Sequence, residues 1–192
     1  MVAKIHPFSG LNPIFVVRIV LLKMDFLSHY NTPLGAMTMA SDGIRLIGLW
    51  FDGQKCFADT LEQERVEHDD LPIFAETRRW LDLYFAGKVP DFTPALLLRG
   101  NDFRRHVWEI LMTIPYGQTM TYGEIARIIA REKGLETMSA QAIGGAVGHN
   151  PFSLIIPCHR VIGANGSLTG YAGGVERKKW LLEMERTAMI KH

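Results

Sequence analysis

Thr121-Tyr122-Gly123-Glu124-Ile125-Ala126-Arg127-Ile128-Ile129-Ala130-Arg131-Glu132 and, after a polar connection, Ser139-Ala140-Gln141-Ala142-Ile143-Gly144-Gly145-Ala146-Val147-Gly148-His149-Asn150-Pro151 read as two helices in tandem. Thr-x-x-Glu at 121–124 has the form of a capping box, in which side chain and backbone satisfy each other's first-turn donors. The apolar face of that helix is Ile125, Ile128 and Ile129. Asn150-Pro151 ends the second helix, because the residue before a proline is driven out of the helical region. A helix, a turn and a helix form the unit that DNA-binding proteins commonly use.

The second of these helices has no Lys or Arg, and Gly144 and Gly145 lie inside it, although each internal glycine costs about 1 kcal/mol relative to alanine. Two explanations fit: a neighbouring helix packs closely on the glycines, or a smooth face enters a narrow groove where long side chains would clash. Upstream, Phe103, Val107, Trp108, Ile110 and Leu111 suit one buried face of a helix over 102–113, stopped at Pro115-Tyr116-Gly117.

Further back, Pro90, Pro94 and Gly100 punctuate the chain, so a boundary is expected near residue 99. The part before it, 24–98, reads as a small α/β unit. Met37–Phe51 holds two apolar runs around Ser41-Asp42-Gly43, a hairpin signal. Ile73, Phe74, Thr77, Trp80, Leu81, Tyr84 and Phe85 then recur at helical spacing before Gly87. Residues 1–23 fit poorly with the α/β unit after them and read as a leader or extension; Ile14–Leu22, broken by Arg18, is far short of the ~20 residues that span a bilayer.

The chain has 192 residues, 47% hydrophobic and 21% charged, which is ordinary for a globular protein and argues against extensive disorder. Residues 1–98 hold nine Lys/Arg against twelve Asp/Glu and residues 99–192 twelve against eight, a balance of −3 and +4. Contact with nucleic acid is therefore expected in the second half. The two cysteines, Cys56 and Cys158, belong to no spaced Cys/His set that completes a zinc site. A reducing compartment, the cytoplasm, and no metal are the expectation.

Downstream of the paired helices, Leu154-Ile155-Ile156-Pro157-Cys158-His159-Arg160-Val161-Ile162 places a thiol, an imidazole and a guanidinium in a row. A thiol must ionise to be a useful nucleophile, and neighbouring positive charge or an adjacent base favours that. The bland alternative is a small buried cysteine beside a surface histidine. A glycine-rich loop, Asn165–Gly174, comes next; it lacks the phosphate-cradling pattern but suits a pocket wall. The last helix, over 175–187, carries Trp180, Leu181 and Met184 on its apolar side and Glu185 near its end.

Together, Pro157-Cys158-His159-Arg160 after an apolar run, the small-residue helix ending in Asn150-Pro151, and the Gly-rich loop with Tyr171 resemble the O6-alkylguanine-DNA alkyltransferases from about Phe103 to Glu185. Tyr30-Asn31-Thr32-Pro33-Leu34-Gly35 and the hairpin after it resemble the start of that family's N-terminal domain. The resemblance implies a ribonuclease-H-like α/β domain with a small antiparallel sheet and a helix. A mostly α domain with a winged-helix-like helix-turn-helix, 99–192, follows it. It also implies stoichiometric, irreversible transfer of an alkyl group from O6-alkylguanine, and from O4-alkylthymine, in double-stranded DNA, without a cofactor. The zinc site of some members has no counterpart here.

By the same resemblance Cys158 is the alkyl acceptor, His159 the base acting through a bound water and Glu185 the carboxylate that holds His159. Asn150 is a hinge between the DNA-binding helix and the active-site turn, and Tyr122 contacts the base and backbone. Ala140, Gln141, Gly144, Gly145 and Arg160 would face DNA from the minor groove, while Val161, Tyr171 and Ala172 would line the guanine pocket. The protein is expected to act as a monomer, away from membranes. Two positions depart from the pattern: Gln141 stands where many members carry an arginine that replaces the extruded base, and Ala172 where some have serine. Two other readings predict different chemistry. An alkyltransferase-like protein binds the damage without repairing it but has another residue at the cysteine position, and a cysteine hydrolase would turn over repeatedly.

Overall fold

The computed structural model describes residues 24–61 and 64–190; the leader expected over 1–23 lies outside the described residues. Strands β1 (Met24–Thr32), β2 (Gly35–Ser41) and β3 (Leu46–Phe51) form a meander. Pro33-Leu34 turns β1 into β2, with Gly35 at φ +112°. The Ser41-Asp42-Gly43 hairpin is present, and the Asp42 carboxylate accepts the backbone N–H groups of Ile44 and Arg45.

A fourth strand, β4 (Glu64–Glu67), lies on the far edge, parallel to β1, in the order β3-β2-β1-β4. The sheet is thus mixed, which corrects the expectation of an antiparallel one. Glu-Arg-Val-Glu leaves only its valine half-buried, so no apolar alternation betrays this strand. Helix α1 (Pro72–Phe85) opens on proline, whose fixed φ suits a first turn. It buries Ile73, Phe74, Thr77, Trp80, Leu81 and Tyr84.

The second half contains α2 (Asp102–Met112), α3 (Tyr122–Glu132), α4 (Ala140–Gly148) and α5 (Val175–Ile190), with two-residue strands β5 (Met120–Thr121) and β6 (Val161–Ile162) paired in parallel. Asn101, Thr121 and Ser139 cap α2, α3 and α4, and the capping box of Thr121 and Glu124 is complete. The indole of Trp108 donates to the Ala146 carbonyl, fixing α2 against α4.

The two halves share one core, running from Met37 and Phe51 through Tyr84 and Trp108 to Cys158 and Leu181. The edge of β3 is occupied by the segment that precedes the thiol: Leu49 donates to the Pro151 carbonyl and Ser153 to that of Leu49, each at 2.8 Å. The sheet therefore positions the turn that carries Cys158. Among the described residues no helix is long and apolar enough to cross a membrane.

Candidate active site and nucleic-acid interface

Cys158, His159 and Arg160 form a single 3-10 turn. The chain reaches it through a tight reversal in which Leu154 takes a left-handed φ of 74°, a conformation that costs a non-glycine residue on the order of 1 kcal/mol or more. Asn150, buried at the end of α4, holds that reversal closed. Its Oδ1 accepts from Phe152 N, and its Nδ2 lies 2.8 Å from the Ile156 carbonyl and 3.0 Å from Cys158 Sγ. One amide therefore links the helix, the reversal and the sulfur.

Only 4% of Cys158 is exposed. Burial pushes its thiol up to about 11, against the Asn150 N–H and the Lys178 ammonium, which favour the thiolate. The resting thiol is therefore protonated at neutral pH, so of the two aids expected from the sequence, neighbouring charge or an adjacent base, it needs the base at the moment of reaction. Nor is the neighbouring cation the expected one. Arg160 grips Glu185 with Nε and Nη2, both at 2.9 Å, and gives Nη1 to the Ile114 carbonyl. Buried in this way, Arg160 is not a DNA-facing residue, which corrects that assignment.

His159 is fully buried, with Nε2 2.8 Å from Glu185 Oε1. Burial holds its pKa below the ordinary value although Glu185 opposes this, so the imidazole is neutral. Burial alone would raise Glu185, but the hydrogen bond to His159 and the Arg160 guanidinium hold it well below the usual carboxylate range. A carboxylate can only accept, so Nε2 carries the imidazole proton and Nδ1 carries the lone pair. Nδ1 is buried and has no hydrogen-bond partner among the described residues.

Two further groups complete this cage, and sequence reasoning missed both. The Tyr84 hydroxyl, from α1 in the first half, donates to Glu185 Oε1 at 2.7 Å and lies 3.2 Å from His159 Nε2. Lys178 is fully buried on α5, donates to the carbonyls of Val161 and Thr169, and is lowered to about 8 by burial. The buried stripe of α5 is Lys178, Leu181 and Glu185, whereas Trp180, expected on the apolar side, is 39% exposed. The spacing of that stripe, i, i+3 and i+7, was the available signal. Its charged members hid it.

The Tyr122 hydroxyl donates to the Thr169 carbonyl at 3.2 Å. Tyr122, Ala140, Gln141, Gly144, Gly145 and Gly170 line one groove of about 750 Å³. Tyr171 and Ala172 line an adjoining cavity of about 490 Å³ that shares Gly144, Gly145 and Gly170 with it. Val161 is buried in β6. A methyl group added at Gly144 would meet Tyr122 at an ordinary 3.9 Å, and one at Gly145 would meet nothing within 4 Å. Close packing of a neighbouring helix is thus not what the glycines serve. They leave the outer face of α4 smooth and open.

Comparison with known proteins bears on the same residues. The 6-O-methylguanine DNA methyltransferase ribonuclease-like domain matches residues 26–98 and the DNA binding domain of the same proteins matches residues 102–187. The methylated-DNA--protein-cysteine methyltransferase of Mycobacterium tuberculosis is 44% identical over 163 residues, covering 83% of this chain and 93% of that protein. Its counterpart in Methanosarcina mazei is 46% identical over 157 residues, covering 81% and 93%. The crystal structure of Mycobacterium tuberculosis OGT in complex with DNA superposes with a TM-score of 0.73 at 40% identity, covering 86% of this chain and 94% of that one. With both halves matched, and relatives aligned over nearly their whole length, the chain belongs to the 6-O-methylguanine DNA methyltransferase family.

Proposed function

We propose that the chain repairs DNA by transferring the alkyl group of O6-alkylguanine to Cys158 Sγ, once per molecule. The observation that carries this is the coupled arrangement of a buried thiol held by Asn150 and a neutral imidazole, polarised by Glu185, whose free lone pair is on Nδ1. The thiol proton passes through a bound water to His159, and Glu185 stabilises the imidazolium that forms. The sulfur lone pair then attacks the alkyl carbon, an S–C bond forms and the C–O6 bond breaks with its electrons going to the guanine. The guanine takes up a proton at a ring nitrogen, so the thiol hydrogen is in effect exchanged for carbon. A thioether does not revert under these conditions, so the protein is consumed.

A base within a duplex cannot reach a thiol this deeply buried, so the nucleotide is rotated out of the stack at a cost of a few kcal/mol, less where damage has weakened the pair. The smooth face of α4 enters the minor groove, Gln141 at its start hydrogen-bonds the orphaned partner base, and the extruded guanine lies between Tyr122 and the Tyr171–Ala172 loop. Domains 24–98 and 99–192 act together as a monomer in the cytoplasm, and O4-alkylthymine is a second substrate.

Intact-mass measurement after incubation with duplex DNA containing O6-methylguanine tests the proposal. A methyl-sized gain on the wild-type protein but not on Cys158→Ala is expected. Binding without any gain would replace repair by recognition alone, and repeated turnover would indicate a hydrolase.

A further inference from the structure

Cys56 plays no part in the chemistry above, yet it is not isolated. Its Sγ, an Asp59 carboxylate oxygen and a ring nitrogen of His149 all lie within 4.8 Å of one another. Cys56 and Asp59 belong to the loop after β3, whereas His149 closes α4, so the cluster joins the two halves of the chain. Cys56 and Ala58 both adopt left-handed φ values, 56° and 57°. The His149 ring is already oriented: its Nδ1 lies 2.7 Å from the Gly145 carbonyl. A carbonyl only accepts, so Nδ1 is the protonated nitrogen and the Nε2 lone pair is left available. A backbone carbonyl holding the second nitrogen is the usual support of a metal-bound histidine.

From this geometry we infer that Cys56, Asp59 and His149 form a site for a borderline-soft divalent transition-metal ion of the zinc class. Sulfur, imidazole and carboxylate donors together suit such an ion, whereas magnesium and calcium prefer oxygen alone. Three protein ligands leave the fourth tetrahedral position for water. A thiolate and the Asp59 carboxylate neutralise the dication, with Lys55 and Arg104 nearby. Donors around a tetrahedral zinc ion stand roughly 3 to 4 Å apart, given bonds of about 2.0 to 2.3 Å, so closure by about 1 Å completes the site. The ion fastens the loop after β3 to the end of α4, beside the cavity that Tyr171 and Ala172 line. Sequence spacing does not reveal the site because its histidine lies far along the chain from its cysteine.

Cobalt(II), a spectroscopic stand-in for zinc, tests this inference independently of alkyl transfer. In full-length Cys158→Ala protein Cys56 is the only thiol. Titration is expected to give a thiolate-to-cobalt charge-transfer band together with the intense visible absorption of four-coordinate cobalt, saturating at equimolar metal and reversed by zinc. Adding Cys56→Ser abolishes the charge-transfer band, and adding His149→Ala weakens cobalt binding by at least about tenfold. Asp59→Asn, at an exposed position, preserves the fold and weakens binding as well. In the unsubstituted protein zinc raises Tm, and in His149→Ala it does not. Absence of the charge-transfer band, or affinity unchanged by both His149→Ala and Asp59→Asn, overturns the inference.

Discussion

The lone pair on His159 Nδ1 is the group proposed to take up the thiol proton, and His159, fully buried, takes no part in the open face of α4. Replacing it should therefore separate chemistry from binding. His159→Ala is expected to slow single-turnover methyl transfer by about 10² or more, the usual scale for a lost general base, while fluorescence anisotropy reports unchanged affinity for duplex DNA. Equal losses in both assays would assign His159 to the DNA interface instead. The same cage makes stability depend on pH. His159 is held below its ordinary 6.5 and Glu185 below its ordinary 4.5. The unfolded chain therefore takes up protons, at 159 below about pH 6.5 and at 185 below about pH 4.5, that the folded protein refuses. Their contribution is complete above those values and is lost as the pH falls. Tm should drop between about pH 7 and about pH 4, and Glu185→Gln, less stable throughout, should lose less of its Tm below about pH 4.5 than the wild type. Parallel curves for the two proteins would remove Glu185 from the linkage.

Helix α4 shows how an element can be unfavourable by propensity and still be retained. Gly145 is inside the helix and a Cβ there meets nothing within 4 Å. Gly145→Ala should thus stabilise the protein by about 1 kcal/mol while weakening DNA binding and slowing repair, because the added methyl group roughens the face proposed to enter the groove. A thermal melt and an anisotropy titration of this variant decide the matter: stabilisation with unchanged DNA affinity would place the DNA elsewhere. The helices were legible because their ends carry chemistry, Thr121 with Glu124 at one start and Asn150-Pro151 at one end. Strand β4 was not legible, since a mostly polar edge strand shows no alternation. In the candidate site, Cys158 and His159 are adjacent in the chain and could be read directly. Tyr84 read as ordinary core and Lys178 drew no reading at all, because the reason for each lies in a partner from another element.

At the scale of the molecule, the N-terminal half is more than a scaffold attached by a linker. Tyr84 reaches the His159–Glu185 pair, and β3 receives the reversal before Cys158 along its edge. Arg99 meets the buried Asp25 with both terminal nitrogens at 3.0 Å, Lys55 N donates to the Ala172 carbonyl, and Arg177 Nε donates to that of Leu34. Removing either half would expose a shared apolar core and strand buried polar groups, each an expense of about 1–3 kcal/mol when left unpaired. Neither half is therefore expected to melt alone. Calorimetry of the intact chain should show one transition, with calorimetric and van't Hoff enthalpies equal, although the chain carries two domain types. Tyr84→Phe should lower the temperature of that transition without splitting it, since the lost hydroxyl contact to a charged carboxylate is worth about 1.5–3 kcal/mol and the core remains joined. Two separate transitions in the wild-type protein would show that the contacts crossing between the halves are too weak to couple them, and that the fixed position of His159 owes nothing to the first half of the chain.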